Sequence, residues 1–570
     1  KQVYVGDLRQ DTLFMVDMLK VTRPRFNSAT RFIWISALEV DRVRFALSRT
    51  EGDTYSNLTN LLNRIDPDTT SSDPSDEWRI RCSRFDLHDI HFSFHDAHHD
   101  PLPFGVDVDH VDLDDVHVVG TGLDVIGDSI TARLHQFSFH EQSGLRLDQL
   151  AGRVQVGPTG IRVGGMDLRT EGSSLQGDLE LLTEGWSDHN DFIDKVKLRM
   201  RLDSSTLEFA DVAYFAPELR GIHLPVRLSG RVRGTIADLK GRDMRISFGE
   251  RSYFRGNAEL SGLPDMDNTF MLIDIADMRT DAGDLSELPA PPFMEGGTVD
   301  LPPELAPLGP LRFSGNFTGF MRAFTAYGDL GTDLGTLRTD LSYERDTITD
   351  LFRLSGRLGT PGFELGRLLG TSTLGGLTAD LRVILTGRTF ANVKADLEGT
   401  IPAITVNGAT ITNVTTQGTL ERDRFDGSLS VVDDDLVMDF NGLADLRGRW
   451  PIVDFAADVK HADLRSLGIA PRPGYHAISA MVEAKGRLSP DSLQGTIHAT
   501  EISYCDDRGD HDLGYLDLES GKVDGEDVLL LDATFAEAEV RGRFLPTRVP
   551  TLLENMIYSV FPALGDDVDY

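Results

Sequence analysis

The stretch FDLHDIHFSFHDAHHD, residues 85–100, sets five histidines (His88, His91, His95, His98 and His99) among four aspartates (Asp86, Asp89, Asp96 and Asp100). Imidazole and carboxylate are ligands of transition metals, so the first chemistry to weigh is a metal centre. Such a site needs three or four ligands converging on one point. Phe92 and Phe94 alternate with Ser93 and His95, and Ile90 keeps the phase of the phenylalanines. On a strand, His91, Ser93 and His95 then share the polar face. Same-face neighbours stand about 7 Å apart along a strand. His91 and His95 are two such steps apart, too far to chelate one ion, and His98 and His99 fall in the next loop. The expectation is no metal, with the histidines turned to water. Phe85 and Leu87 keep one parity while Ile90, Phe92 and Phe94 keep the other. A bulge or tight turn near His88–Asp89 would bring all five to a common face.

Other chemistry is sparse. The acids of DVDHVDLDD (107–115) and VVDDDLVMD (431–439) lack the Gly and Glu positions of a calcium loop and read as acids facing water or filling turns. The sequence holds no P-loop, no GxGxxG after a strand, no HExxH and no GxSxG. The expectation is a protein that is not an enzyme, with no catalytic residue and no cofactor.

Strict alternation dominates the elements that would position these residues. KVKLRMRL (195–202) separates Val196, Leu198, Met200 and Leu202 from four cations, a half-buried strand. RVRFALS repeats the pattern with Val43, Phe45 and Leu47, MRISF with Met244, Ile246 and Phe248, AISAMVEA with Ile478, Ala480, Val482 and Ala484, and VDFAADV with Val453, Phe455, Ala457 and Val459. One wet and one apolar face is the habit of antiparallel sheets. Helical spacing occurs at SNLTNLLNRI (56–65), at LEFADVAYFAPELRG (207–221, ending before Pro217) and at RVPTLLENMIYSVFPALG near the end, where Pro550 suits a first turn. Recurrent SGRV, SGNF, SGRL, KGRL and RGRF segments fall at irregular spacing, so no fixed-period solenoid is expected.

The 570 residues are 40% hydrophobic, with 55 glycines and a formal net charge of -35. That charge repels phosphate backbones, so nucleic acid is not an expected partner. Two distant cysteines, Cys82 and Cys505, exclude a disulfide framework. No run is long and apolar enough for a transmembrane helix. A long sheet with one apolar face must cover it. With few helices available, it either curls into an apolar groove suited to acyl chains or closes over a dry core. The alternation pattern is compatible with both.

The run VYVGDLRQDTLFMVDMLKV followed by WISALEVDRVRFALSRTEGDTYSNLTNLL, then FADVAYFAPELRG (209–221) and VDLPPELAPLGPLRFSGNFTGFMRAFTAYGDLGTDLGTLRTDLSY (299–343), resembles AsmA-like proteins, specifically the TamB group (translocation and assembly module) of Bacteroidota. The resemblance spans nearly the whole chain. It implies a periplasmic protein tied to the inner membrane by an N-terminal helix that this chain lacks. It also implies a curled "β-taco" sheet carrying phospholipid towards the outer membrane, and an outer-membrane barrel partner engaged through a region absent here.

The expected fold is thus mainly β: a long curled, antiparallel-rich sheet with a few short capping amphipathic helices. The expected organisation is N-terminal strands and a short helix (1–66), a polar loop (67–77), a first curled segment (78–287, with a helix near 208–216), a Pro-rich connection (288–310), a second curled segment (311–546) and an amphipathic helix with tail (547–570). The expected groove lining is Val43, Phe45, Leu47, Phe92, Phe94, Val196, Leu198, Met200, Leu202, Met244, Ile246, Phe248, Ile478 and Val482. The alternative is a surface β-helix or adhesin, for which four tryptophans and irregular spacing are poor credentials.

Overall fold

Period-two segments become strands almost wherever the sequence carries them. The computed structural model of the chain describes residues 3–65, 78–215, 219–220, 224–288, 303–389, 392–447, 450–469, 474–487, 494–523 and 525–542. These residues form 31 strands and five short α-helices, a mainly β structure. The chain divides into two compact units, one of residues 1–301 with 312–321 and one of 302–311 with 322–570. In neither does the sheet close into a barrel.

The first unit opens with a kinked hairpin. Strand Thr12–Thr22 pairs antiparallel with Ala37–Arg49. The returning arm, Phe32–Ile35 and Ala37–Arg49, then lies parallel to Arg79–Asp96, with Leu38 opposite Phe85 and Leu47 opposite Phe94. From Arg79–Asp96 onward, each strand through Phe270–Thr280 pairs antiparallel with the one before it. In the second unit the strands from Ala323–Thr332 to Ala536–Gly542 make an antiparallel meander. A β-helix stacks parallel strands, so the β-helix alternative does not fit these pairings. The hairpins have local causes. Asn407 and Gly408 join Lys394–Val406 to Ala409–Glu421 with φ of 51° and 84°, the two left-handed residues of a type I′ turn.

Bulges bend this sheet. Asp89 has φ of 51°, and the partner of Leu87 is Val118 while that of Ile90 is Val116. The extra residue puts Leu87 and Ile90 on the same core of Val16, Val40 and Val43. The expected bulge at His88–Asp89 is therefore present. Arg42 and Asp115 take the same conformation on the flanking strands, with φ of 54° and 52°. Further on, register shifts cross six neighbouring pairings, from Val163/Met166 to Gly241/Met244 and Arg255/Gly256. Each shift bends its strand and switches its parity.

The helix expected at 56–65 forms over Asn57–Ile65. Ser56 Oγ accepts from Thr59 N–H, an N-cap, and Asn57 docks the helix by donating to Ala46 O and accepting from Ser48 N–H. The helix expected near 208–216 shrinks to Phe209–Ala213, because Leu207 and Glu208 are held by pairing with Val226 and Pro225. Strand pairing likewise begins at Lys197, not Lys195, which ends the short helix Phe192–Lys195. The polar loop at 67–77 and the C-terminal helix at 547–570 lie outside the described residues, as do 289–302 of the Pro-rich connection. The remainder of that connection includes a 3-10 helix, Pro303–Leu308.

Candidate functional site

Residues opposite one another in a strand pair point to the same face. Following partners from strand to strand in the second unit therefore yields rows. One row runs Leu381, Gly399, Thr416, Leu429, Phe440, Ala457, Val482, Ala499, Leu516, Ala533. Two residues along, a second runs Val383, Leu397, Gly418, Gly427, Gly442, Phe455, Ala484, Ile497, Leu518, Leu531. Neither contains a charge. The row between them, on the opposite face, runs Arg382, Glu398, Gln417, Ser428, Asn441, Ala456, Glu483, His498, Asp517, Asp532. Phe440 links the apolar rows, with its ring centroid 5.2 Å from that of Phe455.

The first unit repeats the arrangement. Val154, Val163, Leu179, Met200, Val232, Gly241, Ala258 and Ile273 form one uncharged row, and Val156, Ile161, Leu181, Leu198, Gly234, Leu239, Leu260 and Met271 the next. Gln155, Arg162, Glu180, Arg199, Arg233, Lys240 and Glu259 alternate with them on the other face.

These apolar faces are neither sealed nor bare. Leu397, Leu429, Phe440, Phe455, Ile497 and Leu518 are all half-buried, whereas Leu381 and Val383 at one end of the rows and the small residues Ala484, Ala499 and Ala533 are buried. A sealed core would bury the large side chains as fully as the small ones. A depression of about 700 Å³ crosses the same strands, but Glu398, Gln417, Ser430, Asp439, Asp458 and Glu483 all line it. It is a mixed-polarity dip and does not define an apolar channel.

The residues expected in the lining are placed unevenly. Leu198 and Met200 lie in the first unit's rows, and Val482 in the second unit's. The Phe45 and Phe92 rings pack at a tilt, centroids 5.7 Å apart, with Phe14 edge-on to Phe45. Leu47 is opposite Phe94. Ile246 and Phe248 are half-buried around Leu224 and Val226, and Ile478 pairs with Ala462 and Tyr504. Val196 is fully buried, at 0% exposure, and so has no surface to offer a ligand. Leu202, Met244 and Val43 are nearly sealed as well, the first two beside a register shift and Val43 beside the left-handed Arg42.

Four of the five histidines, His88, His95, His98 and His99, are exposed as expected, but most of the stretch also meets carboxylates. His91 Nδ1 lies 2.6 Å from Asp114 Oδ1, His98 Nδ1 2.7 Å from Asp96 Oδ1, and His99 Nδ1 3.5 Å from Asp109 Oδ2. His88 Nε2 lies 2.5 Å from Asp86 Oδ1. The acids of 107–115 supply several of these partners, which spacing along one strand conceals. Asp107 is buried and closes a loop by accepting from Leu102 N–H and Asp109 N–H. Burial works to raise its carboxyl, but those bonds and His110 outweigh it and hold the group below its ordinary value. Cys82 and Cys505 are free thiols.

No helix among the described residues is long and apolar enough to cross a membrane. The chain matches no protein-family model and no curated protein.

Proposed function

We propose that the protein is a non-enzymatic lipid carrier whose uncharged rows hold the acyl chains of phospholipid. The observation that supports this is the segregation of charge: apolar rows cross strand after strand in each unit with half-exposed large side chains, while charges occupy the alternate rows. Such a face solvates methylenes at about 0.8 kcal/mol each without selecting one lipid. It requires no catalytic group and tolerates most single apolar substitutions. The TamB-like reading of the sequence adds the setting: a periplasmic protein on an inner-membrane anchor, moving lipid towards the outer membrane with an outer-membrane barrel partner.

The test places a photocrosslinking residue at Phe440 and, in a separate protein, at Asn441. Expected is phospholipid crosslinked at 440 and not at 441, together with phospholipid in the purified protein by mass spectrometry. Absence of lipid from the intact protein, or equal labelling at both positions, would overturn the reading.

A further inference from the structure

We propose that Asp86, His88 and His117 bind one divalent transition-metal ion of the zinc class, clamping strand Arg79–Asp96 to strand His110–Ile126 at their bulges. This inference does not depend on the lipid reading.

The ligand atoms of the three side chains all lie within 4.8 Å of one another. His88 Nε2 is 2.5 Å and His117 Nε2 3.7 Å from Asp86 Oδ1, and the two imidazole centroids are 4.1 Å apart. Asp86 Oδ1 and His117 Nε2 are both shielded from solvent; His88 Nε2 is the near neighbour of Asp86 Oδ1 but makes no well-aligned hydrogen bond to it, and His117 Nε2 has no hydrogen-bond partner. Folded proteins pair almost every buried polar atom, and an orphaned His117 Nε2 facing the Asp86–His88 pair marks a place for a ligand that accepts lone pairs from all three. A metal ion does so.

The backbone supplies the aim. Asp86 and His88 are same-side neighbours that a regular strand would hold about 7 Å apart. Asp89, at φ of 51°, puts a kink directly after His88. His117 follows the matching kink at Asp115, φ of 52°, on the next strand. Bulges of this sort re-aim side chains.

Two other clusters, in the same strands and the connection between them, are poorer candidates. His91, Asp112 and Asp114 offer only one imidazole against two carboxylates. In Asp96, His99 and Asp109, the Asp96 carboxylate is occupied by His98 N–H, the His98 ring and Arg49. Neither cluster has a buried ligand atom without a hydrogen-bond partner among the described residues. Two imidazoles and one carboxylate suit zinc and its neighbours rather than calcium or magnesium, which prefer oxygen throughout. The side chains of Asp86, His88 and His117 remain 38%, 48% and 35% exposed, so an ion can enter and a water can complete its coordination.

The experiment uses the full chain without a histidine tag, stripped by chelator, then titrated with Zn²⁺ by calorimetry and with Co²⁺ by visible absorption. Expected is saturation at one ion per chain and a cobalt spectrum of mixed nitrogen and oxygen ligation. His88→Ala and His117→Ala should each weaken binding by about 100-fold or more, since even outer-shell changes cost about 10–100-fold. His91→Ala and His99→Ala should leave it unchanged. His117→Gln, which keeps the side chain's bulk, serves if His117→Ala fails to give a folded circular-dichroism spectrum. Weak uptake of several ions without a one-to-one step overturns the proposal. So does tight binding that survives His117→Gln or is lost with His91→Ala.

Discussion

Two regions of the molecule use the same strand pairing to opposite ends. Between strands Lys394–Val406 and Leu436–Asp445 the register runs through three successive pairings without a shift. Side chains there stay in straight rows, and the result is an uninterrupted uncharged face. Between Arg79–Asp96 and His110–Ile126 the register shifts on both sides of Ile90. Side chains there converge instead, and polar groups from two strands meet at points. Regular pairing thus makes a continuous surface, and interrupted pairing makes sites. The alternating residue pattern is similar in both; what differs is that the register shifts in one and holds in the other.

Removing the extra residue at the shift should have the largest effect. Deleting Asp89 slips the strand by one and turns Ile90, Phe92 and Phe94 to the wet face. Losing burial of three large apolar side chains at roughly 1.5–3 kcal/mol each is expected to lower stability by about 5 kcal/mol, read as a collapse of the denaturation midpoint. In the regular region, Leu429→Asp puts a charge into an uncharged row between Thr416 and Phe440. The expected loss is about 2 kcal/mol for a half-buried position, with loss of lipid crosslinking at 440.

Gly442 tests how tightly the regular region is packed. Its φ is 138°, and an added Cβ would lie 2.3 Å from Asp454 O. Gly442→Ala is expected to cost about 2 kcal/mol, whereas Gly521→Ala, with nothing within 4 Å, should be near neutral in the same unfolding assay.

A smaller effect links both regions through acid. Burial pushes the Asp96 carboxyl up, but His98 N–H, the His98 ring and Arg49 more than reverse it, and the group titrates below its ordinary 3.8. At Asp433 burial is likewise outweighed by the Thr412 hydroxyl and by the N–H groups of Asp435 and Thr412. A lowered folded value means that stabilisation is complete above 3.8 and lost as pH falls from there through the folded value. Tm should therefore be insensitive to these groups at pH 5–7 and fall below about pH 3.8, with a shallower fall in Asp433→Asn. The smallest change is Asp89→Gly, which relieves a left-handed aspartate and is expected to alter stability by no more than about 0.5 kcal/mol.

Much of the sheet was legible because a period of two is a local property. Phe455, Val482, Leu198 and Met200 could be assigned a face from their neighbours in sequence alone, and the opposed parities of Leu87 and Ile90 required the bulge that Asp89 makes. Helices were less legible. Phe209–Ala213 is shorter than its helical spacing implies, because the partner strand Pro225–Gly234 claims Leu207 and Glu208. Val196 kept the alternating phase yet sits in a sealed link after a helix. For the histidines, the sequence reading compared distances along one strand only. The partners that matter, His117, Asp114 and Asp109, arrive from the next strand and the turn that leads into it, and no spacing within residues 85–100 contains them.

The sequence by itself determined which side chains are apolar, which alternate with charges, and where parity must switch, since these follow from chain geometry over a few residues. The tertiary structure alone decided which strand lies beside which. That choice aligns uncharged residues into rows and brings Asp86, His88 and His117 to one point, because cross-strand neighbours are set by hydrogen-bond register and not by distance along the chain.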